Sequence, residues 1–109
     1  MKNGLHIDAN GTKCWYVDSK LHKEDGPAMV WSNGNEWWYL DNKRHRTDGP
    51  AIEYADGSKY WYVDGKLHRT DGPAIEYRDG HKGWYVDDEQ LPCETQEEFE
   101  RLMRLKAFW

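Results

Sequence analysis

The chain repeats itself at intervals of 23 residues, and this period constrains its fold more than any other feature. The sequence Asp-Gly-Pro-Ala begins at Asp25, Asp48 and Asp71, and Trp-Tyr followed by Val or Leu and then Asp begins at Trp15, Trp38, Trp61 and Trp84. Repeats of this length stack so that each one buries its apolar residues against its neighbours. We therefore expect a single domain over residues 1–109, with an N-terminal half repeat at 4–21, three full repeats at 22–90 and a C-terminal amphipathic helix at 95–109.

Each repeat carries the signals of a β-hairpin. Asp56-Gly57 separates two runs rich in aromatic and β-branched residues, and an Asp-Gly pair in that position favours a two-residue type I′ turn. A two-residue loop would pair Ile52 with Trp61 and place Tyr54 and Tyr60 on opposite faces of the sheet. The predicted fold class is mainly β: an elongated antiparallel sheet of stacked 23-residue β-hairpin repeats, a single-sheet solenoid, with one C-terminal capping α-helix.

Two elements are expected to complete this fold. The Trp of each Trp-Tyr pair is predicted to be core, because a residue that is identical in every repeat most simply serves packing; these are Trp15, Trp38, Trp61 and Trp84. The C-terminal helix is predicted from a capping box of Thr95 and Glu98, followed by an apolar stripe of Phe99, Leu102, Met103, Leu105 and Trp109. Such a helix either caps the open end of the sheet or docks a partner.

The composition excludes several classes of protein. Only 16 of the 109 residues are Leu, Ile, Val or Phe, so the 7 Trp and 7 Tyr must supply most of the large apolar surface. The net charge of −5 argues against nucleic-acid binding, and no apolar run approaches the ~20 residues of a membrane helix. Cys14 and Cys93 are too few for a disulfide framework. We therefore expect a cytoplasmic protein that binds neither nucleic acid nor membrane.

The residues that most resemble a catalytic or metal site occur three times over. His22, His45 and His68 are each followed three residues later by an Asp. A catalytic site needs one arrangement, so we interpret each His as filling a fixed slot between repeats and each Asp as accepting turn N–H groups. Successive repeats lie roughly 9–10 Å apart, which is too far for one metal ion to join two of these His. The sequence predicts no catalytic residue, no metal and no cofactor, and hence not an enzyme.

Positions that vary between repeats indicate where a partner could bind. Two sets of equivalent positions change residue type although the rest of the repeat is nearly constant. They are positions 7, 30, 53 and 76 and their predicted cross-strand partners 14, 37, 60 and 83. Exposed Trp and Tyr are typical of binding hot spots. The predicted protein-binding surface, an aromatic face with acidic residues at its rim, comprises Val30, Trp31, Trp37, Tyr39, Glu53, Tyr60, Tyr62 and Glu76. Alternatively, these rings cover one another or are buried by the helix or a second copy.

At 61–68 and 75–80 the chain resembles MORN-type repeats, which also have about 23 residues with an aromatic strand, an Asn/Asp-Gly turn and a Tyr-x-Asp-Gly hairpin. The variant Leu-His-Arg-x-Asp-Gly-Pro-Ala is more similar to small phage and bacterial proteins. That resemblance implies a non-enzymatic protein-binding module, such as an inhibitor that occludes a host defence or toxin protein in the host cytoplasm. A carbohydrate-binding aromatic repeat and a self-assembling structural repeat, which would form homo-oligomers, are the alternatives.

Overall fold

The computed structural model describes residues 2–106, which form fifteen strands and one helix in an elongated molecule of 48 × 30 × 18 Å. The elements are β1 Gly4–Ile7, β2 Lys13–Val17, β3 Lys20–Leu21, β4 Met29–Val30, β5 Glu36–Trp37, β6 Tyr39–Leu40, β7 Lys43–Arg44, β8 Ile52–Glu53, β9 Lys59–Tyr60, β10 Tyr62–Val63, β11 Lys66–Leu67, β12 Ile75–Glu76, β13 Lys82–Gly83, β14 Tyr85–Val86, β15 Glu89–Gln90 and α1 Gln96–Lys106. The mainly β, antiparallel fold with a C-terminal helix is confirmed. Within these residues no helix has the length and apolarity to cross a membrane.

Four hairpins lie side by side in the main sheet. The strand order is β1-β2-β4-β5-β8-β9-β12-β13, and β3 pairs with β2. The other short strands form two-stranded hairpins, β6 with β7, β10 with β11 and β14 with β15. We call these three, together with the β2–β3 pair, the small hairpins. Each repeat therefore supplies one hairpin to the main sheet and one small hairpin beside it.

The predicted register of the main hairpins is wrong by one residue on one strand. Ile52 pairs with Tyr60 and Glu53 with Lys59. The Tyr54 N–H donates a hydrogen bond to the carbonyl of Ser58 at 2.9 Å. The loop thus has three residues, with Gly57 alone at positive φ (98°), as in a type I turn that ends in a glycine bulge. Because side chains alternate along a strand, this register puts Tyr54 and Tyr60 on the same face.

The two-residue type I′ turns lie instead in the small hairpins. Asp64 and Gly65 both have positive φ, at 50° and 82°, and Val63 pairs directly with Lys66 across them. Equivalent left-handed pairs stand at Asp18-Ser19, Asp41-Asn42 and Asp87-Asp88. Asp and Asn tolerate this conformation better than most residues, which explains why this turn keeps an Asp in every repeat.

The buried core is made largely of small and aliphatic residues rather than of the Trp row. Ala28, Ala51 and Ala74 are fully buried, and Ile52 and Ile75 nearly so. The Ala carbonyls accept the backbone N–H of the preceding Trp, at 2.8, 2.6 and 2.7 Å. Of the Trp row only Trp84 is buried; Trp15, Trp38 and Trp61 are half-buried. The prediction that all four Trp are core holds only for the last.

Each half-buried Trp is covered by a cation from the next repeat. Lys23 lies 4.0 Å from the Trp15 ring centroid, Arg46 lies 3.8 Å from that of Trp38, and Arg69 lies 3.9 Å from that of Trp61. A cation over the face of an indole is attracted by the ring quadrupole. In this way the Trp row is shielded from water without a second layer of structure.

The Asp and Gly of Asp-Gly-Pro-Ala hold these arginines in place. Asp71 accepts a hydrogen bond from Arg69 Nε at 2.8 Å, and the carbonyl of Pro73 accepts one from Arg69 Nη1 at 3.1 Å. A Cβ on Gly72 would lie 2.6 Å from Arg69 Cζ, so a larger residue here would displace the guanidinium. Asp48 accepts the equivalent hydrogen bond from Arg46. For Asp48 and Asp71, this guanidinium contact replaces the turn N–H bonds expected from the sequence.

We expect the protein to lose stability at acidic pH because of these two pairs. The guanidiniums of Arg46 and Arg69 hold the pKa of Asp48 and of Asp71 below the ordinary value for an aspartate. The stabilisation is present above the unfolded pKa, about 3.9, and is lost as pH falls through the lower folded pKa. The melting temperature should therefore fall more steeply between about pH 5 and pH 2 in the parent protein than in D48N/D71N. The matched control is D25N, because Asp25 follows Lys23 rather than an Arg; a D25N profile as flat as that of the double variant would contradict the assignment.

Each of the three repeated His residues joins the end of one small hairpin to the turn of the next, so all three occupy the same fixed slot. Nδ1 of His22, His45 and His68 accepts the backbone N–H of the type I′ turn 19 residues later, on Asp41, Asp64 and Asp87, at 3.0, 2.9 and 3.2 Å. The carboxylate of the same Asp lies 3.3–3.4 Å from Nδ1. Each imidazole is thus held by backbone geometry in the same way.

Helix α1 packs at the C-terminal end of the sheet. Thr95 Oγ1 accepts the backbone N–H of Glu98 at 3.1 Å, as a capping box requires. Phe99 packs in a buried cluster with Trp84 and Leu91, and the Trp84 indole N–H donates to Gln96 Oε1 at 2.8 Å. Trp84 has no following repeat within residues 2–106 to supply a covering cation, and the helix covers it instead. Trp109, which was assigned to the apolar stripe, lies outside the described residues.

Candidate functional site

Five aromatic rings form an unbroken row across the middle of the main sheet. We call them the aromatic ladder; in order they are Trp31, Trp37, Tyr54, Tyr60 and Tyr77. The centroids of successive rings lie 5.6, 6.5, 5.5 and 6.1 Å apart, with interplanar angles of 63–83°. Edge-to-face contacts at these distances stabilise aromatic pairs beyond the area that they bury. The ladder is therefore a semi-rigid surface with little side-chain entropy left to lose on binding.

The ladder stays partly open to solvent. Trp31, Trp37, Tyr54 and Tyr60 are half-buried, and Tyr77 at its end is 43% exposed. Helix α1 packs against Trp84 at the C-terminal end, not against the ladder. Cys14 and Gly83 occupy the positions equivalent to Trp37 and Tyr60 in the first and last hairpins, so the row of rings is confined to the centre of the sheet.

Two ladder indoles have hydrogen-bonding capacity that the protein does not use. Within residues 2–106, the Nε1 atoms of Trp31 and Trp37 are buried without a hydrogen-bond acceptor, as is that of Trp38 in the Trp row. A buried N–H that lacks an acceptor costs stability. Because Trp38 outside the ladder shares this feature, the unpaired indole N–H groups do not distinguish the ladder from the Trp row.

The opposite face of the main sheet is mostly charged. Its paired positions run across the strands as Lys13, Val30, Glu36, Glu53, Lys59, Glu76 and Lys82. Arg46 Nη1 adds a contact to Glu53 Oε1 at 3.3 Å. The sheet thus presents an aromatic surface on one side and a solvated, charged surface on the other.

The structure divides the predicted protein-binding surface between these two faces. Trp31, Trp37 and Tyr60 belong to the aromatic ladder, and Tyr39 lies beside it, with ring centroids 6.5 Å from Trp37. Tyr62 also lies next to the ladder, because the Arg44 guanidinium contacts both its ring and that of Trp37. Val30, Glu53 and Glu76 lie on the opposite face and cannot rim the rings. This part of the prediction is wrong because the hairpin loop has three residues rather than two.

Two further corrections concern exposure and missed residues. Tyr39 is only 9% exposed and therefore offers a partner little of its ring. Tyr54 and Tyr77 belong to the ladder but were assigned to the opposite face by the same register error. The position they share with Trp31 is aromatic in three repeats and Asp8 in the first, and with the correct register this pattern would have identified them.

Burial also affects the acidity of the tyrosines around the ladder. Desolvation raises the pKa of Tyr60 and of Tyr62 above the ordinary value for a phenol, and the neighbouring Tyr77 and Tyr54 raise that of Tyr60 further. These rings stay neutral throughout the physiological range. Tyr60 and Tyr62 therefore present uncharged phenol groups at neutral pH.

A row of open grooves lies along the cation-covered Trp residues. Their volumes are about 650 Å³ at Trp15, about 290 Å³ at Trp38, and about 580 Å³ at Trp61 between the Arg46 and Arg69 loops. Both arginines are already paired with Asp48 and Asp71, and their planes cover the indole faces. Within residues 2–106, no three His, Cys, Asp or Glu side chains are arranged to hold a metal ion, and Cys14 and Cys93 are free thiols.

Comparison with known proteins identifies no family for this chain. No protein-family model matches it, and no curated protein matches its sequence. The resemblance to MORN-type repeats therefore stays a prediction from the residues of the repeat. The candidate site has to be judged by its own geometry.

Proposed function

We propose that this protein is a non-enzymatic binding module that contacts a protein partner through the aromatic ladder. The observation that carries the proposal is the continuous row of five half-exposed rings on one face of a single-layer sheet. Trp and Tyr are the residue types that most often dominate binding energy in protein interfaces. Following the phage-type resemblance, we propose further that the partner is a host defence or toxin protein in the cytoplasm and that binding inhibits it by steric occlusion.

The ladder has the chemical character that a protein partner requires. Its rings give a large apolar area at low entropic cost, because their contacts with one another already restrict them. The remaining exposed aliphatic residues do not lie in the ladder: Leu5, Ile7 and Val17 belong to β1 and β2, and Leu105 to α1. The ladder is thus the aromatic surface around which the proposal is built.

The carbohydrate alternative fits this geometry less well. Sugar binding by aromatic residues uses an open ring face, whereas rings in the ladder meet edge to face at 63–83° and cover part of one another. The Trp15, Trp38 and Trp61 faces are occupied by Lys23, Arg46 and Arg69. We therefore place a protein partner ahead of a polysaccharide.

Self-association is the alternative that a specific observation favours. Leu5 and Ile7 are exposed on β1, the first strand of the main sheet. An edge strand with exposed apolar side chains is prone to pair with a second copy. This surface is separate from the ladder, so the two proposals can be tested independently.

Replacing Tyr77 with alanine is expected to abolish capture of the partner while leaving the fold intact. Tyr77 is 43% exposed and ends the ladder, so its removal disturbs packing little and deletes a contact typically worth 2 kcal/mol or more, about a thirtyfold loss in affinity. The measurement is affinity capture from bacterial lysate with the immobilised chain, with mass spectrometry to identify any stoichiometric protein. Its affinity for the parent and Y77A is then determined by calorimetry.

The matched control is V17A. Val17 is 44% exposed, almost the same as Tyr77, but belongs to β2 outside the ladder. Retention of the partner by V17A and its loss from Y77A supports the ladder as the contact surface. Equal binding by both variants, or retention of the chain on polysaccharide resin with no stoichiometric protein, overturns the proposal. Light scattering of the parent and of L5K tests self-association separately. A dimer built on β1 would dissociate in L5K, so its molar mass would fall to that of the monomer.

A further inference from the structure

A pocket lined by two cations lies beside the ladder in this acidic protein. It has a volume of about 260 Å³ and is lined by Tyr39, Asn42, Lys43, Arg44 and Gly65. The pocket lies where the small hairpin β6–β7 meets the type I′ turn of the next repeat, since Gly65 N–H donates to the Arg44 carbonyl at 2.8 Å. A pocket with two adjacent cations is the reverse of what a net charge of −5 would lead one to expect.

Arg44 is held in place by neutral groups. Its guanidinium carbon lies 5.4 Å from the ring centroid of Trp37 and 5.3 Å from that of Tyr62. Burial lowers the pKa of Arg44, but interactions with the phenol groups of Tyr39 and Tyr62 outweigh it, so the pKa is raised above its ordinary value. Arg44 is therefore a fixed, half-buried, fully charged group.

Neither cation has an anionic partner. Among residues 2–106, no carboxylate lies within 4 Å of the Arg44 guanidinium or of the Lys43 ammonium, whereas Arg46 and Arg69 are both paired. The nearby Asp41 and Asp64 carboxylates are largely exposed and lie on the side of His22 and His45, 3.3 and 3.4 Å from Nδ1. A half-buried guanidinium without a counter-ion has hydrogen-bonding capacity for an oxyanion.

Two residues that shape the pocket differ from those at the equivalent positions of the neighbouring repeats. Arg44 stands where Leu21 and Leu67 stand in neighbouring repeats, and Gly65 stands where Asn42 and Asp88 stand. The side chain of Asp88 accepts the N–H of Leu67 at 2.7 Å, and that of Asn42 accepts the N–H of Leu21 at the same distance. Gly65 has no side chain to do this, which leaves the space beside Arg44 open.

We propose that this pocket binds a carboxylate, supplied by an acidic side chain of the protein partner that docks on the ladder. The planar guanidinium of Arg44 matches a carboxylate in shape and charge. Lys43 adds a second positive charge, and the amide nitrogen of Asn42 adds a donor, since Asn42 Oδ1 is already used by Leu21 N–H. Contact of Arg44 with Trp37 places the pocket directly next to the ladder. This inference rests on the proposed function for the source of the carboxylate, but the site itself can be tested without the partner.

The test is a titration of the isotopically labelled protein with sodium acetate, followed by NMR at constant ionic strength set with sodium chloride. We expect saturable shifts of the amide signals of Lys43, Arg44 and Gly65. R44L should weaken acetate binding by at least about tenfold, because a charge-assisted hydrogen bond is lost, and it should fold normally because Leu occupies that position in two other repeats. G65N should weaken binding while keeping both cations, because Asn fills the space and tolerates the positive φ of 82°.

Two controls separate this site from general charge attraction. K66Q removes the Lys that is equivalent to Lys43 in the next repeat, and it should leave acetate binding unchanged. Inorganic phosphate is titrated in a parallel arm. Three outcomes would overturn the carboxylate assignment. The amide shifts could grow linearly with acetate concentration without saturating, or K66Q could weaken acetate binding as much as R44L does. The third is saturable binding of phosphate when acetate does not bind.

The partner assay distinguishes failure of this inference from failure of the proposed function. Loss of the partner from Y77A but unchanged binding by R44L would overturn only the pocket as a partner contact. Loss from both variants, with retention by K66Q, supports the ladder and the pocket acting together. Acetate could also bind saturably while no protein is captured that Y77A loses. That outcome would establish the oxyanion site but show that a partner docked on the ladder does not supply the carboxylate.

Discussion

Replacing Phe99 with alanine is expected to lower the free energy of unfolding by about 3–5 kcal/mol. Phe99 is 1% exposed and is the largest fully buried side chain among residues 2–106. It packs in the cluster with Trp84 and Leu91, to which Leu102 and Met103 add partly buried contacts. Alanine would leave a cavity in the buried cluster that attaches the helix to the end of the sheet. A loss of this size is a large share of the 5–15 kcal/mol typical of a domain.

The measurement is urea denaturation followed by Trp fluorescence and by circular dichroism. L105A is the matched control, because Leu105 is on the same helix but 51% exposed, and its stability should stay within about 0.5 kcal/mol of the parent. F99L serves as the conservative variant and should lose less than F99A. Equal stability of F99A and L105A would show that the helix contributes little to the folded state.

Replacing Arg69 with alanine is the second large effect, with an expected loss of about 1–2 kcal/mol. The change removes the cation over Trp61 and the hydrogen bonds to Asp71 and Pro73. We set the figure below the sum of these interactions because Asp71 is largely exposed, and exposed ion pairs are screened by solvent. The exposed face of Trp61 would also gain access to water, which should shift its fluorescence emission to the red.

R69K separates the cation from the hydrogen bonds. Lys23 already lies over Trp15 at 4.0 Å in the first full repeat, so Lys is able to cover an indole in this fold. We expect R69K to lose about half as much stability as R69A, with R101A, on the exposed side of α1, as the neutral control. Thermal denaturation at pH 7 measures all three. A stability of R69A within about 0.5 kcal/mol of the parent would contradict a structural role for the stack.

The period of 23 residues was sufficient to predict the hairpins, the antiparallel sheet and the position of the helix. It was not sufficient to predict the loop length, because an Asp-Gly pair is compatible with both a two-residue and a three-residue turn. The side chain of Asp56 decides between them by accepting the N–H of Ser58 at 2.8 Å. Asn33 and Asp79 do the same with Asn35 and His81. This local hydrogen bond competes with direct strand pairing and lengthens the loop by one residue.

The error in loop length carried through to the candidate site. One residue of slip moves a strand's side chains to the other face, so Tyr54 and Tyr77 were separated from Tyr60, and Glu53 was joined to it. The prediction of Trp37 and Tyr60 is unaffected, since it rests on how residue types vary between repeats, whereas Trp31 is predicted on the opposite face by the same register error. Arg44 was missed because only positions in the main hairpins were compared, although its replacement of Leu21 and Leu67 is visible in the sequence.

The bonds that join neighbouring repeats have a consequence for how such a chain can evolve. The Trp38 N–H donates to the Ala51 carbonyl and the Gly65 N–H to the Arg44 carbonyl, and equivalent backbone atoms form the junctions between the other adjacent repeats. Duplication or loss of a 23-residue segment would re-form the same junctions without a new core. Genetic changes of this kind would lengthen or shorten the row of rings by whole repeats, while the Arg44 pocket would be gained or lost with one particular segment. The length of the aromatic ladder and the presence of the Arg44 pocket are therefore open to separate selection.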